Sequence, residues 1–290
     1  MSNRLDWARD GRDWPNHAAS RFVRAAGLKW HVQQAGAGPV ILLIHGTGGA
    51  THSWRDLFPM LTNDFTVIAP DLPGHGFTDT PPAQGLSLPG MASALKSLLV
   101  ALGLRPAIAV GHSAGAAILI RMSLDRAIEP RALISINGAI LPLGGFAGQF
   151  FSPLAKLLSA NPLVPRLFAW RAGNSAVVQR LIDGTGSKID PIGMALYGRL
   201  IRNSEHAAAA LGMMANWDLQ PIQRELPSLK VPLTLVVGQN DRTVPPAESE
   251  RVRRLLPSAK LLSLPGLGHL AHEERPKEIV TLIRNLPIAQ

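Results

Sequence analysis

The sequence AIAVGHSAGAA, residues 107–117, decides the fold of this chain. Its first four residues are apolar without alternation, which predicts a strand buried on both faces of a sheet. Residues 114–124 are rich in small and apolar side chains and predict a helix. Between them stands GHSAG, a G-x-S-x-G pattern, which in this context predicts a sharp strand-to-helix turn with Ser113 at its tip. Glycines on both sides are required because bulkier residues would collide with neighbouring elements.

Short apolar runs resembling residues 107–110 recur along the chain and alternate with helical stretches. They predict further strands at residues 40–44, 65–69, 132–136, 233–237 and 261–264, and an opening antiparallel hairpin over residues 21–34. Predicted helices, in addition to 114–124, cover residues 53–61, 90–102, 247–256 and 276–286. This alternation predicts an α/β fold: a mostly parallel, eight-stranded sheet flanked by helices.

Residues 138–229 break the alternation, because no strand is predicted there and the sequence is helical with Pro and Gly interruptions. Since the segment lies between two predicted core strands, we interpret it as an inserted helical cap. The predicted organisation is an N-terminal extension at 1–20, the core at 21–137, the cap at 138–229 and the rest of the core at 230–290.

A serine hydroxyl needs a base to act as a nucleophile at neutral pH. His269 follows the last predicted strand and Asp241 follows the strand at 233–237, so both should lie at the sheet edge that carries Ser113. We predict a catalytic triad of Ser113 as nucleophile, His269 as base and Asp241 as acid. Asp218 is the alternative acid, although its place in the cap favours an ordinary N-cap role.

Two backbone N–H groups are needed to stabilise an oxyanion. We predict that one is the N–H of Ala114, which follows the nucleophile. The other is predicted to be the N–H of Thr47, in the glycine-rich loop after residues 40–44. His45 is interpreted as a structural hydrogen-bonding residue, and His75 is assigned no chemistry. The HLAHE sequence at 269–273 is not H-E-x-x-H on a helix, so neither a metal site nor a cofactor is predicted.

The cap contains large side chains that suit a substrate pocket: Trp170, Tyr197, Met213, Met214 and Trp217. With Phe168 and the arginines at 166, 171, 199 and 202 they would suit a large flat ligand with peripheral carboxylates. The alternative is a lid whose aromatic and methionine side chains pack on the core and whose arginines face water.

Composition limits the functional classes. Of 290 residues 46% are apolar and none is cysteine, which fits a globular protein without disulfides or thiolate metal sites. The net charge of +9 is scattered, and since nucleic-acid binding requires a cluster of basic residues, we predict none. Peripheral contact with an anionic membrane or a carboxylate-bearing ligand fits better. No signal peptide or spanning helix is predicted, so a cytoplasmic location is expected.

These motifs resemble the α/β-hydrolase superfamily over residues 21–286. Within it the chain resembles the magnesium chelatase accessory proteins of bacteriochlorophyll biosynthesis. The resemblance rests on DGRDWP at 10–15, HGTG at 45–48, HSWRDL at 52–57, GHSAGAA at 111–117 and, in the cap, FSPLAK at 151–156, NPLVPRLF at 161–168 and GTGS at 184–187.

The resemblance implies a serine hydrolase acting on an ester or related bond in (bacterio)chlorophyll biosynthesis and photosynthesis, in association with magnesium chelation. Its partners would be a small-molecule substrate or tetrapyrrole intermediate and the magnesium chelatase itself. One alternative is a non-catalytic tetrapyrrole- or chelatase-binding accessory protein with a vestigial triad, and another is a general carboxylesterase. Serine at position 113 disfavours haloalkane dehalogenases and epoxide hydrolases, which resemble this fold but use aspartate there.

Overall fold

The computed structural model describes residues 4–142 and 163–285 and centres on one eight-stranded sheet. Its strands are β1 (Ser20–Ala25), β2 (Leu28–Ala35), β3 (Val40–Ile44), β4 (Thr66–Pro70), β5 (Ile108–His112), β6 (Ala132–Ile136), β7 (Leu233–Gly238) and β8 (Lys260–Leu264). They lie in the order β1-β2-β4-β3-β5-β6-β7-β8. β1 and β2 pair antiparallel, as do β2 and β4, and every other pairing is parallel. The predicted mostly parallel sheet is confirmed.

Helices cover the sheet in two layers. They are α1 (Trp7–Asp10), α2 (Leu57–Leu61), α3 (Leu88–Leu102), α4 (Ala114–Leu124), α5 (Leu163–Arg171), α6 (Ser175–Gly184), α7 (Pro191–Ile201), α8 (Ser204–Ala215), α9 (Gln220–Glu225), α10 (Pro246–Leu255), α11 (Ala271–Glu274) and α12 (Pro276–Arg284). Leu42 and Ile44 of β3 pack towards α3, α4 and α10. Ile41 and Leu43 pack towards α2 and α12. Because both faces are buried, β3 is apolar at every position.

The edge strand β8 departs from that expectation. The apolar run at 261–264 predicts a strand buried on both faces, like the others, yet Leu262 is 41% exposed. β8 pairs only with β7 within the described sheet, so its outer edge has no covering neighbour there.

The prediction of one helix over residues 53–61 is wrong. The structure has a 3-10 turn at Thr51–Trp54 and then α2, which begins at Leu57. A continuous helix would need the N–H of residue 59 to donate to the carbonyl of Arg55, and Pro59 has none. The side-chain amide of Asn16 donates to that carbonyl instead, at 3.2 Å.

The insertion between β6 and β7 is helical in its described part. It contains α5 to α9 and a 3-10 turn at Leu226–Ser228. Residues 143–162, which include the FSPLAK sequence at 151–156, lie outside the described residues. The residue limits chosen for the cap and the core stay a prediction.

The N-terminal segment packs against both the core and the insertion. Trp14 is buried, and its Nε1 donates to Oγ1 of Thr51 at 2.9 Å. Arg199 of α7 forms an ion pair with Asp13 at 2.7 Å. Over the described ranges, no helix has the length and apolar character needed to span a bilayer.

Candidate active site

Ser113 stands between β5 and α4 in a strained backbone conformation. Its φ of 51° and ψ of −119° lie in a region that residues other than glycine rarely occupy. The N–H of Ser113 donates to the carbonyl of Ile136 at 3.0 Å, and its own carbonyl accepts from Ala139 at 3.1 Å. These bonds to the segment that ends β6 hold the tight turn in place.

The glycines around Ser113 are required by close backbone contacts. A Cβ atom on Gly111 would lie 2.5 Å from the nitrogen of Ala116, and one on Gly115 would lie 2.3 Å from the carbonyl oxygen of Ile44. Real side chains do not tolerate such distances to backbone atoms. The G-x-S-x-G pattern therefore reflects how tightly α4 packs on β5 and β3.

His269 and Asp241 meet at the same edge of the sheet. Nδ1 of His269 lies 2.8 Å from Oδ2 of Asp241, and both side chains are buried. The other oxygen of Asp241 accepts the N–H groups of Thr243 and Val244 at 2.8 and 2.9 Å. With Nδ1 donating to the carboxylate, Nε2 of His269 carries the lone pair that a general base requires.

Two polar side chains that the sequence reasoning missed hold the loop of His269. The carbonyl of His269 accepts Nε2 of His112 at 2.9 Å and Nδ2 of Asn137 at 2.8 Å. Oδ1 of Asn137 accepts the N–H of Gly238 at 2.8 Å, where the loop of Asp241 begins. Asn137 could have been found from the sequence, because it is a polar residue directly after the predicted strand at 132–136. Parallel strands end at one edge of the sheet, so this position lies beside the loops of Asp241 and His269.

A segment of the insertion, residues 184–187, also contacts both loops. The carbonyl of Thr185 accepts the N–H groups of Arg242 and His269, each at 3.2 Å. The hydroxyl of Ser187 accepts the N–H of Leu270 at 2.7 Å. A Cβ on Gly186 would lie 2.0 Å from the carbonyl oxygen of Asn240, so the chains pass in direct contact. The insertion therefore helps to fix the separation of the acid and the base.

The two residues predicted for the oxyanion hole line the same cavity as Ser113 and His269. Ala114 is the first residue of α4, where backbone N–H groups have no acceptor within the helix. The hydroxyl of Thr47 contacts the sulfur of Met213 at 3.5 Å.

His45, which directly precedes the glycine-rich loop of Thr47, is buried. Its Nδ1 lies 2.8 Å from the carbonyl of Gly46, and its Nε2 accepts the N–H of Leu72 at 2.9 Å. These are the bonds of a structural residue that shapes the loop.

The cavity has a volume of about 600 Å³ and a mostly apolar wall. Three of the five predicted pocket residues line it, namely Tyr197, Met214 and Trp217. The other two lie elsewhere: Met213 is buried beneath Thr47, and Trp170 is 75% exposed on α5. Helical periodicity alone did not distinguish these positions.

The predicted cap arginines do not form the cavity wall. Among the described lining residues the only arginine is Arg242, which follows Asp241. Asp218 also lines the cavity, but its carboxylate accepts the N–H of Gln220 at 2.9 Å near the start of α9, while His269 is bonded to Asp241. The side chain of Phe168 is not among those described.

A buried polar cluster lies behind the cavity. The hydroxyl of Tyr197 donates to Oε1 of Glu273 at 2.7 Å, and Arg55 pairs with the other oxygen of Glu273 and with Asp190. Burial raises the pKa of Glu273 to about 7, although Arg55 opposes that effect. Burial and the neighbouring Glu273 raise the pKa of Tyr197 well above its usual value. The cluster ties α7 to the segment that follows His269.

Burial also lowers the pKa of histidines around the site. The rings of His112 and His272 are tilted by 42° with centroids 4.4 Å apart, and the pKa of each is well below its usual value because of burial and of neighbouring positive charge. Within the described ranges, no three His, Asp or Glu side chains are grouped so that they could hold a metal ion.

Comparisons with known proteins agree with this architecture. The chain is 39% identical over 263 residues to the magnesium-chelatase 30 kDa subunit of Rhodobacter capsulatus, covering 90% of this chain and 92% of that protein. It is 29% identical over 266 residues to pyrrolizixenacetamide deacetylase of Xenorhabdus hominickii, covering 88% and 93%. An alpha/beta hydrolase fold protein from Burkholderia ambifaria superposes with a TM-score of 0.77 at 22% identity, covering 98% and 99% of the two chains. Residues 41–282 match the model of the alpha/beta hydrolase family. The chain belongs to the alpha/beta hydrolase family.

Proposed function

We propose that this chain is a serine hydrolase that cleaves an ester or related acyl bond. One observation carries the proposal: Ser113 and His269 line a single apolar cavity, and Nδ1 of His269 is bonded to the buried carboxylate of Asp241. A cavity of about 600 Å³ is of the size that holds a small-molecule substrate.

The chemistry follows from the roles of these groups. Oγ of Ser113 attacks the carbonyl carbon while Nε2 of His269 takes the hydroxyl proton, and Asp241 stabilises the imidazolium. The N–H groups of Ala114 and Thr47 stabilise the oxyanion. His269 then protonates the leaving alkoxide, which leaves an acyl group on Ser113. Water, deprotonated by His269, attacks that ester. The protonated His269 then returns the proton to Oγ of Ser113 as the acyl C–O bond breaks, which releases the acid and restores the free enzyme.

The pathway is proposed from the relatives. The chain is 39% identical to a protein named as a magnesium-chelatase subunit. We therefore place the substrate among esters or related compounds of (bacterio)chlorophyll biosynthesis, handled in association with magnesium chelation.

A fluorophosphonate probe tests the hydrolase proposal, because only an activated serine reacts readily with it. The wild type should be labelled and Ser113→Ala should not. The matched control is Ser53→Ala, which removes a second serine hydroxyl from the same cavity, one that donates to the carbonyl of Ala50. Labelling that persists in Ser113→Ala, or that is lost only in Ser53→Ala, would contradict the assignment.

A second function is favoured by the name of the same relative and by the apolar cavity wall: a non-catalytic tetrapyrrole- or chelatase-binding accessory protein. Titration with protoporphyrin IX, followed by quenching of tryptophan fluorescence, tests it, since Trp217 lines the cavity. Saturable quenching that Trp217→Phe reduces, in a protein that the probe does not label, would favour this function. Labelling with rapid hydrolysis of simple esters and no tetrapyrrole binding would favour a general carboxylesterase.

A further inference from the structure

Helix α5 presents two apolar faces, one inward and one outward. Pro165 and Ala169 are buried on the face that packs towards α8. Leu163, Leu167 and Trp170 are 63%, 55% and 75% exposed. At about 100° of rotation per residue, the spacing i, i+4 and i+7 places these three on one stripe, roughly opposite the buried face.

Two arginines border the exposed stripe. The same rotation places Arg166 on one side of it and Arg171 on the other, and both residues are exposed. Neither guanidinium forms an ion pair with a carboxylate of residues 4–142 or 163–285. Residues 143–162, 1–3 and 286–290 contain no Asp or Glu, so they hold no side-chain carboxylate for these arginines. By contrast, Arg199 of the same insertion is paired with Asp13.

This arrangement differs from ordinary surface composition. Isolated exposed apolar residues are common, whereas a contiguous stripe bordered by polar groups marks an interaction surface. Leucine and tryptophan on one side of a helix, with arginines beside them, is the pattern of a helix that lies in a membrane interface. Tryptophan favours the headgroup level, and free arginines bind lipid phosphates.

We propose that the outer face of α5, formed by Leu163, Leu167 and Trp170 with Arg166 and Arg171, docks on an anionic lipid bilayer. Charge complementarity selects this partner, because neither bordering arginine has a carboxylate partner among the described residues and the chain carries a net charge of +9. The surface adjoins the candidate active site along the chain: α6 follows α5 after residues 172–174, and its Leu181 is 39% exposed and lines the cavity.

Sedimentation with vesicles tests the proposal on the full chain. We expect the chain to bind vesicles of phosphatidylcholine that contain about 30–40% phosphatidylglycerol, which gives the vesicle a negative surface. Added salt should weaken this binding, because it screens the charges. Arg166→Gln and Arg171→Gln should each weaken binding about fivefold, and Leu167→Ser further still. Matched controls change the same residue types elsewhere: Arg254→Gln on α10, and Leu262→Ser on β8, where the leucine is 41% exposed.

Fluorescence gives a second readout that does not depend on the amount bound. Of the six tryptophans Trp170 is the only exposed one, so insertion should shift its emission to the blue and protect it from iodide. Trp170→Phe should remove the shift while leaving much of the binding. Absence of binding at low salt, or binding that the control variants weaken as much as the α5 variants, would overturn the proposal. A concentration-dependent dimer that Leu167→Ser abolishes would also overturn the proposal, since this face of α5 would then pair with a second copy of the chain.

Discussion

The backbone N–H of His269 donates to the carbonyl of Thr185, which belongs to the insertion and not to the core. The same carbonyl accepts the N–H of Arg242, the residue after Asp241. One peptide group therefore holds the loops of the proposed base and acid together. Ser187, two residues later, adds a third bond, to the N–H of Leu270. The insertion and the proposed triad are therefore coupled through these contacts, so a change in residues 184–187 should affect the rate of the proposed reaction.

Ser187→Ala should lower the rate of fluorophosphonate labelling and also lower stability. The substitution leaves the N–H of Leu270 without its acceptor in a buried position, at a cost of about 1–3 kcal/mol. Urea unfolding measures that cost, and labelling rates against pH report whether the titration of the base changes. Ser123→Ala is the control, since the buried hydroxyl of Ser123 has no partner among the described residues. Equal effects of the two substitutions would show that Ser187 does not position the loop.

Asp241→Asn should preserve the fold and reduce activity by about four orders of magnitude. An amide at this position would donate to Nδ1 and hold the imidazole in the wrong tautomer. Asp218→Asn should be mild, because the carboxylate of Asp218 accepts an N–H at the start of α9. Labelling rates together with circular dichroism check both variants. A larger loss of activity in Asp218→Asn than in Asp241→Asn would mean that Asp218 is the acid.

Gly115→Ala should destabilise the protein by about 1–3 kcal/mol or prevent folding, since its Cβ would meet the carbonyl of Ile44 at 2.3 Å. Gly184→Ala is the matched control. Apart from its chain neighbours and its own helix, no described residue has an atom within 4 Å of its added Cβ, and it ends α6, so about 0.4–1 kcal/mol of stabilisation is expected. Urea midpoints of the two variants decide the comparison. A tolerated Gly115→Ala would contradict the close packing of α4 on β3.

Stability should decline as the pH falls below about 6.5, the usual pKa of histidine. Burial lowers the pKa of six histidines, namely His45, His52, His75, His112, His206 and His272, and for His206 to about 4. The unfolded chain therefore binds more protons than the folded one as the pH falls below about 6.5, so the free energy of unfolding decreases. Glu273 acts in the opposite direction, because its raised pKa of about 7 adds stability that is lost as the pH rises.

Six groups outweigh one, so the unfolding temperature should fall from pH 7.5 to pH 5. His52→Phe should make that pH dependence shallower, because His52 is buried between the rings of Trp14 and Tyr197 and neither of its nitrogens has a partner among the described residues. Differential scanning calorimetry at several pH values measures both effects. An unfolding temperature that is constant over this range would refute the expectation.

Much of the fold and of the candidate site follows from the sequence alone. Apolar runs without alternation identify the buried strands, and G-x-S-x-G identifies the turn, because each depends on local chemistry. The positions of Asp241 and His269 after β7 and β8 also follow, since parallel strands bring their carboxyl ends to one edge. The edge strand β8 shows the limit, because exposure depends on which strand lies outermost. The break before α2 could have been predicted from Pro59, which has no N–H for the carbonyl of Arg55, but the bond of that carbonyl to Asn16, a residue distant in sequence, could not.

Tertiary structure alone decided which residues of the insertion face the cavity and which support the site. Trp170 and Trp217 are both large apolar residues of the predicted helical insertion, yet only Trp217 lines the cavity. Thr185 and Ser187 act through hydrogen bonds to backbone groups, which leave no pattern in sequence, and Asn137 was indicated only by its position after the strand at 132–136. The sequence determined the reactive groups and the sheet that carries them; packing of the inserted helices against that sheet determined the cavity, its supports and the exposed face of α5.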